Sequence, residues 1–272
     1  VKPLPPESPH PGEAEYLAEL MELKVQPATA EALAAADSGP LDPALTQSRS
    51  QLDRLCDPAP LEHENYWTRM PDLSVRIGVE TPMPGLDRAM VEWWFDWHSR
   101  RDDRYRVWHL AAHFANGYHP PGRPEAKPFW AATNFPYEDV GDGPAHIRID
   151  FESPRQFGFT DDHLEDAAVA SIICGRVGDR MLEHTFIAHV FLRTAHGLRV
   201  RSRFWIADRV RPRFPGPLSI AAGPAESALS NRLVRKVAVP EGVGRSLLIH
   251  CSEEYRHLNR ILPGLHQRFA GL

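Results

Sequence analysis

The run His250-Cys251-Ser252-Glu253-Glu254-Tyr255 sets an imidazole and a carboxylate four residues apart. On a helix that spacing puts both groups on one face, one turn apart. A neutral imidazole and a carboxylate so placed can grip one divalent metal ion. The alternative is a solvated helix face. Leu247, Leu248, Cys251 and Tyr255 surround the pair and argue for a buried helix, where polar groups need partners. His109 and His113 are also four apart. They lack the glutamate of H-E-x-x-H, and the polar stretch Ser-Arg-Arg-Asp-Asp-Arg before them leaves their secondary structure open. Either one alone reads by default as a hydrogen-bonded core histidine. Glu138 and Asp139 precede a Gly-rich turn, and on their own they are an acidic turn. His189 sits among Ile187, Val190 and Phe191, where a structural histidine is commoner than a catalytic one. The chain has no G-x-S-x-G elbow, P-loop or dinucleotide fingerprint. Serine-hydrolase, NTPase and Rossmann readings therefore have no motif behind them.

The elements that must carry these residues follow from pattern. Leu17, Leu20, Met21 and Val25 recur at helical spacing, so Glu13 to Lys24 is predicted helical, ending before Pro27. Thr29 to Ala36 is Ala-rich and reads as a second helix. Residues 1–12 hold five prolines and are expected to be extended and mobile. Residues 1–70 form an irregular, partly helical N-terminal region. Alternation over Leu73 to Glu80 predicts a strand, followed by the turn Pro-Met-Pro-Gly. Leu86 to Trp97 is aromatic-rich and reads as a buried helix. Further strands are predicted over 146–151, 168–177, 184–194 and 198–207, with a hairpin at His196-Gly197. A Pro- and Gly-rich connection runs from Arg211 to Pro224. The last third turns helical, over Ser227 to Lys236 and then Gly242 to Ile261, stopped at Pro263. This is an α+β order: an antiparallel sheet around a long C-terminal helix. A cavity between sheet and helix is a common small-molecule site.

Composition narrows the partners. The net charge is −5 and the cations are scattered, which argues against nucleic acid or a membrane surface. No apolar run approaches about 18 residues, so no transmembrane helix is expected. Nor is a leader pattern expected in the Pro-rich, polar first residues. Cys56, Cys174 and Cys251 are odd in number and far apart, so no disulfide framework is predicted and a cytoplasmic setting is expected.

Pro82 to Ser99, P-M-P-G-L-D-R-A-M-V-E-W-W-F-D-W-H-S, resembles the signature of the 2,4-diacetylphloroglucinol hydrolase and phloretin hydrolase family. Four further segments agree in order: R-Y-R-V-W followed by His113, E-D-V-G at Glu138, R-S-R-F-W at Arg201 to Trp205, and H-C-S-E-E at His250. Together they span about residues 70–265. The resemblance implies a zinc-dependent hydrolase with a helix-grip-like (START/Bet v-type) catalytic domain over 71–272. It also implies an N-terminal region, 1–70, used in homodimerisation. It implies Zn2+ held by His113, Glu138, His250 and Glu254, with Asp150 and Glu152 as alternatives to Glu138. Tyr105, Asn116 and His189 would face the substrate as catalytic groups. Phe204 stands where the family is expected to carry a substrate-facing tyrosine, and Leu110, Ala111 and Ala112 are less polar than in relatives. Both departures imply a greasier pocket. The chemistry implied is hydrolysis of the carbon–carbon bond between an acyl group and a phenolic or cyclic diketone ring. Two rival readings are a non-catalytic ligand-binding protein of the same fold and a metal-free cyclase or dehydratase using His189.

Overall fold

The computed structural model describes residues 2–214 and 222–272. A single antiparallel sheet organises them. Its strands are β1 (Tyr66–Arg69), β2 (Val75–Pro84), β3 (His113–His119), β4 (Thr133–Glu138), β5 (Ala145–His146), β6 (Arg148–Glu152), β7 (Val169–Gly178), β8 (Leu182–Thr194) and β9 (Gly197–Pro212). The strand order is β1-β2-β9-β8-β7-β6-β4-β3, with β5 added to β4. The helices are α1 (Glu13–Met21), α2 (Ala30–Asp37), α3 (Asp53–Cys56), α4 (Arg88–Trp97), α5 (Asp102–Arg106), α6 (Pro154–Phe157), α7 (Asp161–Glu165), α8 (Ala222–Leu229), α9 (Arg232–Ala238) and α10 (Val243–Phe269).

α10 packs against β1, β2, α2 and α4. Leu248, Cys251, Tyr255, Leu258, Leu262 and Leu265 recur at three- and four-residue steps and are all buried. Burying each large apolar side chain contributes roughly 1.5–3 kcal/mol, so this stripe anchors the helix to the sheet. The result is the helix-grip arrangement expected from the sequence: a curved antiparallel sheet closed over a long C-terminal helix.

Several local expectations are corrected. α10 does not stop at Pro263 but runs through it to Phe269. A mid-helix proline costs about 3 kcal/mol. Burial of Leu262, Leu265 and Phe269 on either side of it offsets that cost and carries the helix onward. The first helix ends at Met21. The single helix expected over 227–236 is two, because the Asn231 side chain accepts from Leu233 N and Val234 N and starts α9 afresh. The expected Pro-Met-Pro-Gly turn is partly strand: β2 continues through Pro82 and Pro84 against β9. β1 pairs only as far as Gly78, so these prolines lie where β2 has an open side and needs no ladder donor there. Of the connection expected from Arg211 to Pro224, β9 claims the start, and residues 215–221 lie outside the described residues.

The Pro-rich start is docked on the fold. Leu4 N donates to Tyr118 O (2.8 Å), Glu7 N donates to Arg100 O (3.3 Å) and the ring of Pro3 covers Gly117. This strap lies along β3, the outermost strand, and occupies backbone groups that a bare sheet edge would offer to another chain. The strap leads into α1, where the Glu13 carboxylate reaches Arg104 of α5.

Two irregularities shape one end of the sheet. Between β7 and β8 the register shifts at His184. Between β8 and β9, Glu183 faces Arg211 while Thr185 faces Ile206, so β9 bulges over residues 207–210. Ala207 sits at φ 55°, a left-handed conformation that a side chain rarely adopts. Arg235 holds the bulge, donating from Nε to Ala207 O (2.8 Å) and from Nη2 to Asp208 O (3.0 Å).

Candidate functional site

A cavity of about 300 Å³ lies between the inner face of the sheet and α10. One end gathers four of the residues singled out in the sequence. His113 opens β3 and Glu138 closes β4, and the two are register partners. The facing helix α10 supplies His250 and Glu254. His113 Nε2 lies 3.7 Å from Glu138 Oε2 and 3.6 Å from Glu254 Oε2. His250 Nε2 lies 3.5 Å from Glu254 Oε2. Possible ligand atoms of His113, His250 and Glu254 all fall within 4.8 Å of one another. The expected fourth-ligand alternatives stand elsewhere. Asp150 binds Arg148, Arg213 and Thr133, and Glu152 binds Arg176.

The surroundings orient this cluster. His113 Nδ1 is 3.3 Å from Tyr105 O. A proton donated to that carbonyl leaves Nε2 with its lone pair toward the carboxylates. His113 Nε2 is buried and has no hydrogen-bond partner among the described residues. The Tyr105 ring stacks on His113 at 4.2 Å and 6°, and its hydroxyl donates to Glu138 Oε2. Trp108 Nε1 donates to Glu254 O (2.9 Å) and ties α10 to the turn after α5. His109 is not part of a helical pair with His113; it lies in that turn, stacked on His250 at 4.9 Å, with Nε2 3.2 Å from Glu253 Oε2.

The electrostatics follow from burial. Desolvation pushes His113 well below the ordinary histidine range, and His250 nearby adds to this. Burial raises the Glu138 carboxyl. It also raises the Tyr105 phenol well above its usual value, helped by the Glu138 charge, so Tyr105 keeps its proton. His250 goes the other way: burial opposes its charge, but Glu254, Glu138 and Glu253 outweigh that and raise it.

His189 and Phe204 line the cavity from β8 and β9. His189 Nδ1 is 2.8 Å from Ser202 Oγ, its register partner. Burial takes its pKa down to about 3, so the ring is neutral. Phe204 meets it edge-on, with centroids 5.7 Å apart. Asn116 is not brought to the cavity. Its Nδ2 donates to Ser99 O (2.8 Å) and its backbone N–H to Asp102 Oδ1 (2.7 Å), so it fastens β3 to the start of α5 and the turn before it. Of the α4 tryptophans, Trp93 and Trp97 stack on one another away from the cavity, which α4 lines with Phe95.

Two lining residues had no usable sequence signal. Asn134 reads as loop in T-N-F-P-Y-E, yet it faces the cavity from β4. It donates from Nδ2 to Ser99 Oγ (2.9 Å), while its Oδ1 is buried without a partner among the described residues. His98 hides in an aromatic run. Its Nδ1 is 2.6 Å from Trp94 O, and burial lowers its pKa to about 4.

Comparison with known proteins adds an independent line. Residues 45–267 match the DAPG hydrolase PhiG domain. The chain is 26% identical over 242 residues to 2,4-diacetylphloroglucinol hydrolase of Pseudomonas protegens, covering 85% of this chain and 76% of the relative. It is 28% identical over 193 residues to phloretin hydrolase of Eubacterium ramulus, covering 68% and 65% respectively. Among solved structures, Ara h 8.0201 aligns with a TM-score of 0.39 and 7% identity over 70% of this chain and 97% of that one.

Proposed function

The chain belongs to the DAPG hydrolase family, and from that premise we propose that it is a zinc-dependent hydrolase of the bond between an acyl carbon and a phenolic or cyclic diketone ring. The observation that carries the metal part is the unpartnered, buried His113 Nε2 facing two carboxylates and a second imidazole. A buried lone pair without a partner costs free energy unless something binds it. Imidazole nitrogens and carboxylate oxygens spaced 3.5–3.7 Å apart, as here, could share one ion at bond lengths of about 2.0–2.2 Å. The donor set, two imidazoles and two carboxylates, suits zinc. His113, Glu138, His250 and Glu254 would hold it.

Zinc, when bound, supplies positive charge that polarises a carbonyl and acidifies water to a pKa near 7. The bond changes are those of a retro-Claisen hydrolysis. The acyl-bearing ring carbon first takes a proton while a ring hydroxyl gives one up, and the ring becomes a β-diketone. The oxygen of water then bonds to the exocyclic carbonyl carbon. The acyl–ring bond breaks, and its electron pair enters the ring as an enolate that regains aromaticity. A carboxylic acid and the deacylated phenol leave. Tyr105 is a proton-bearing donor at the reacting end. Neutral His189, positioned by Ser202, has one nitrogen left for a ring hydroxyl or ketone. Both can reach a bound ring only if it lies between β8 and the metal end, within hydrogen-bond range. Asn134 offers an open acceptor for a ring hydroxyl. The apolar lining excludes bulk water from the enolate.

Homodimerisation through residues 1–70, catalysis by residues 71–272 and a cytoplasmic setting belong to the same reading. Among the described residues, no helix is long and apolar enough to cross a membrane. The test is direct: purified protein should carry about one zinc per chain and release a carboxylic acid from acylphloroglucinols. Metal-free protein that turns these ketones over at the same rate would refute it.

A further inference from the structure

The sheet half and the helix half of the His/Glu cluster meet through one turn. Residues 108–112 lie between α5 and β3, and every member of the cluster is tied to them. His109 O accepts the backbone N–H groups of Ala112 (2.9 Å) and His113 (2.7 Å), so the turn closes where β3 begins. Ala112 O accepts from Asp139 N (2.9 Å), the residue after Glu138. Toward α10, Trp108 Nε1 donates to Glu254 O. The His109 ring stacks on His250, and its Nε2 meets Glu253 Oε2 at 3.2 Å. His109 is buried but does not line the cavity, whereas His250 does. It therefore backs His250 from outside the cavity.

That backing constrains a ring that is otherwise free to turn. The last torsion of a histidine side chain is broad and roughly two-fold. Glu254 Oε2, 3.5 Å from His250 Nε2, is farther than a strong hydrogen bond and does not fix the ring plane. A flat neighbour with its centroid 4.9 Å away and inclined at 26° does, because rotation would turn the edge of the His250 ring into the His109 face. His109 can serve this way only while its own ring is held. Among the described residues Glu253 is its one side-chain partner, and its Nδ1 is buried with none.

We propose that His109, held by Glu253, is a positioning residue that keeps the His250 imidazole turned toward Glu254 and His113, ready to bind a metal ion. This rests on the zinc reading of the cluster. Groups that orient a ligating imidazole from behind typically change metal affinity by about 10–100-fold when they are removed.

The test measures metal binding rather than turnover. Metal-free full chain is titrated with zinc against a chromophoric chelator, and with cobalt(II) for its visible spectrum. His109→Ala should weaken zinc binding about 10–100-fold and Glu253→Ala about 10-fold. Both should shift the cobalt bands. Glu253→Gln still offers an oxygen to the His109 Nε2–H, so it should restore most of the affinity and the original spectrum. A purely structural role for His109 would lower the melting temperature of the metal-free variants and leave both metal readouts alone. Glu253 is 29% exposed on α10, where alanine is a good helix former, so Glu253→Ala carries the test should His109→Ala fail to fold. Unchanged zinc affinity in either alanine variant overturns the proposal. So does a Glu253→Gln variant as weak as Glu253→Ala, which would make the effect one of charge rather than orientation. Unmodified protein that takes up no zinc sinks the zinc reading and this inference with it, whereas equal uptake by all variants sinks the positioning role alone.

Discussion

Glu13 and Arg104, 91 residues apart, form a forked ion pair with both side chains at 0% exposure: Nε to Oε1 at 2.6 Å and Nη2 to Oε2 at 3.0 Å. Arg104 immediately precedes Tyr105, whose ring and carbonyl position His113. The pair therefore links the N-terminal strap to the metal end. Removing one partner of such a pair strands the other charge in the interior. Arg104→Met should lower stability by about 3–5 kcal/mol, read by urea unfolding. A loss below about 1 kcal/mol would show that the pair is effectively solvated.

The same pair sets an acid limb. Burial alone would raise the Glu13 carboxyl, but hydrogen bonds and charge from Arg104 outweigh it and hold the pKa below 4.5. Because the folded pKa lies below the unfolded one, the contribution is fully present above the unfolded value and lost as pH falls through the folded value. Glu64 and Asp150 are lowered in the same sense by their arginines, against burial. The urea midpoint should hold from neutral pH to about pH 5 and drop below about pH 4.5. Glu13→Gln should make that drop shallower, and an identical acid profile in the variant would remove Glu13 from the account.

His250→Ala and Glu254→Ala should each abolish acid release and bound zinc while leaving a cooperative melt. The buried stripe of α10 is untouched by either change, and a chain of this size does not need a metal to fold. Full zinc content in both variants is the contrary result.

Asn134 and Asn116 should part company. Asn134→Ala removes a cavity-facing hydrogen-bonding group and should cost about 10-fold in kcat/KM, equivalent to roughly 1.4 kcal/mol. Asn116→Ala breaks a buried link to Ser99 and should lower the melting temperature more than it changes kcat/KM for different substrates relative to one another. Steady-state kinetics and a melt of both variants decide it, and the reverse pattern would restore Asn116 to the substrate side.

Phe204→Tyr adds a hydroxyl to a side chain that already lines the cavity beside His189. It should move the ratio of kcat/KM values about 10-fold toward a ring with one more hydroxyl. An unchanged ratio with a lower melting temperature would mean that the new hydroxyl is buried without a partner.

What the sequence displayed and what it hid divide along physical lines. α10 and the paired strands β8 and β9 were legible because their apolar residues repeat with clear periods. β3 and β4 were not: His-Phe-Ala-Asn-Gly-Tyr-His and Thr-Asn-Phe-Pro-Tyr-Glu carry polar groups inward, toward the site, where alternation normally places apolar ones. The same inversion concealed Asn134. His250 and Glu254 announced themselves by helical spacing, whereas the juxtaposition of His113 with Glu138 is a matter of strand register, which local pattern does not encode. Asn116, expected at the substrate from the resemblance alone, does not line the cavity, because the irregularity between His113 and Ala115 decides which face of β3 it takes and local pattern does not encode it.

The link from Trp108 to Glu254 spans 146 residues, and this has a consequence for the order of events as the chain emerges from the ribosome. The sheet half of the His/Glu cluster, His113 and Glu138, is synthesised long before the helix half. Until α10 is released and docks, the inner face of the sheet is an open apolar trough, and long-range closure of this kind is slow and exposes surface to self-association. A nascent or prematurely terminated chain lacking its last thirty or so residues therefore has two of the four clustered side chains, no closed cavity and a sticky face. Completion of the final helix is the step that turns an aggregation hazard into a competent site, and a nonsense change anywhere in α10 should be lost from the soluble fraction rather than merely inactive.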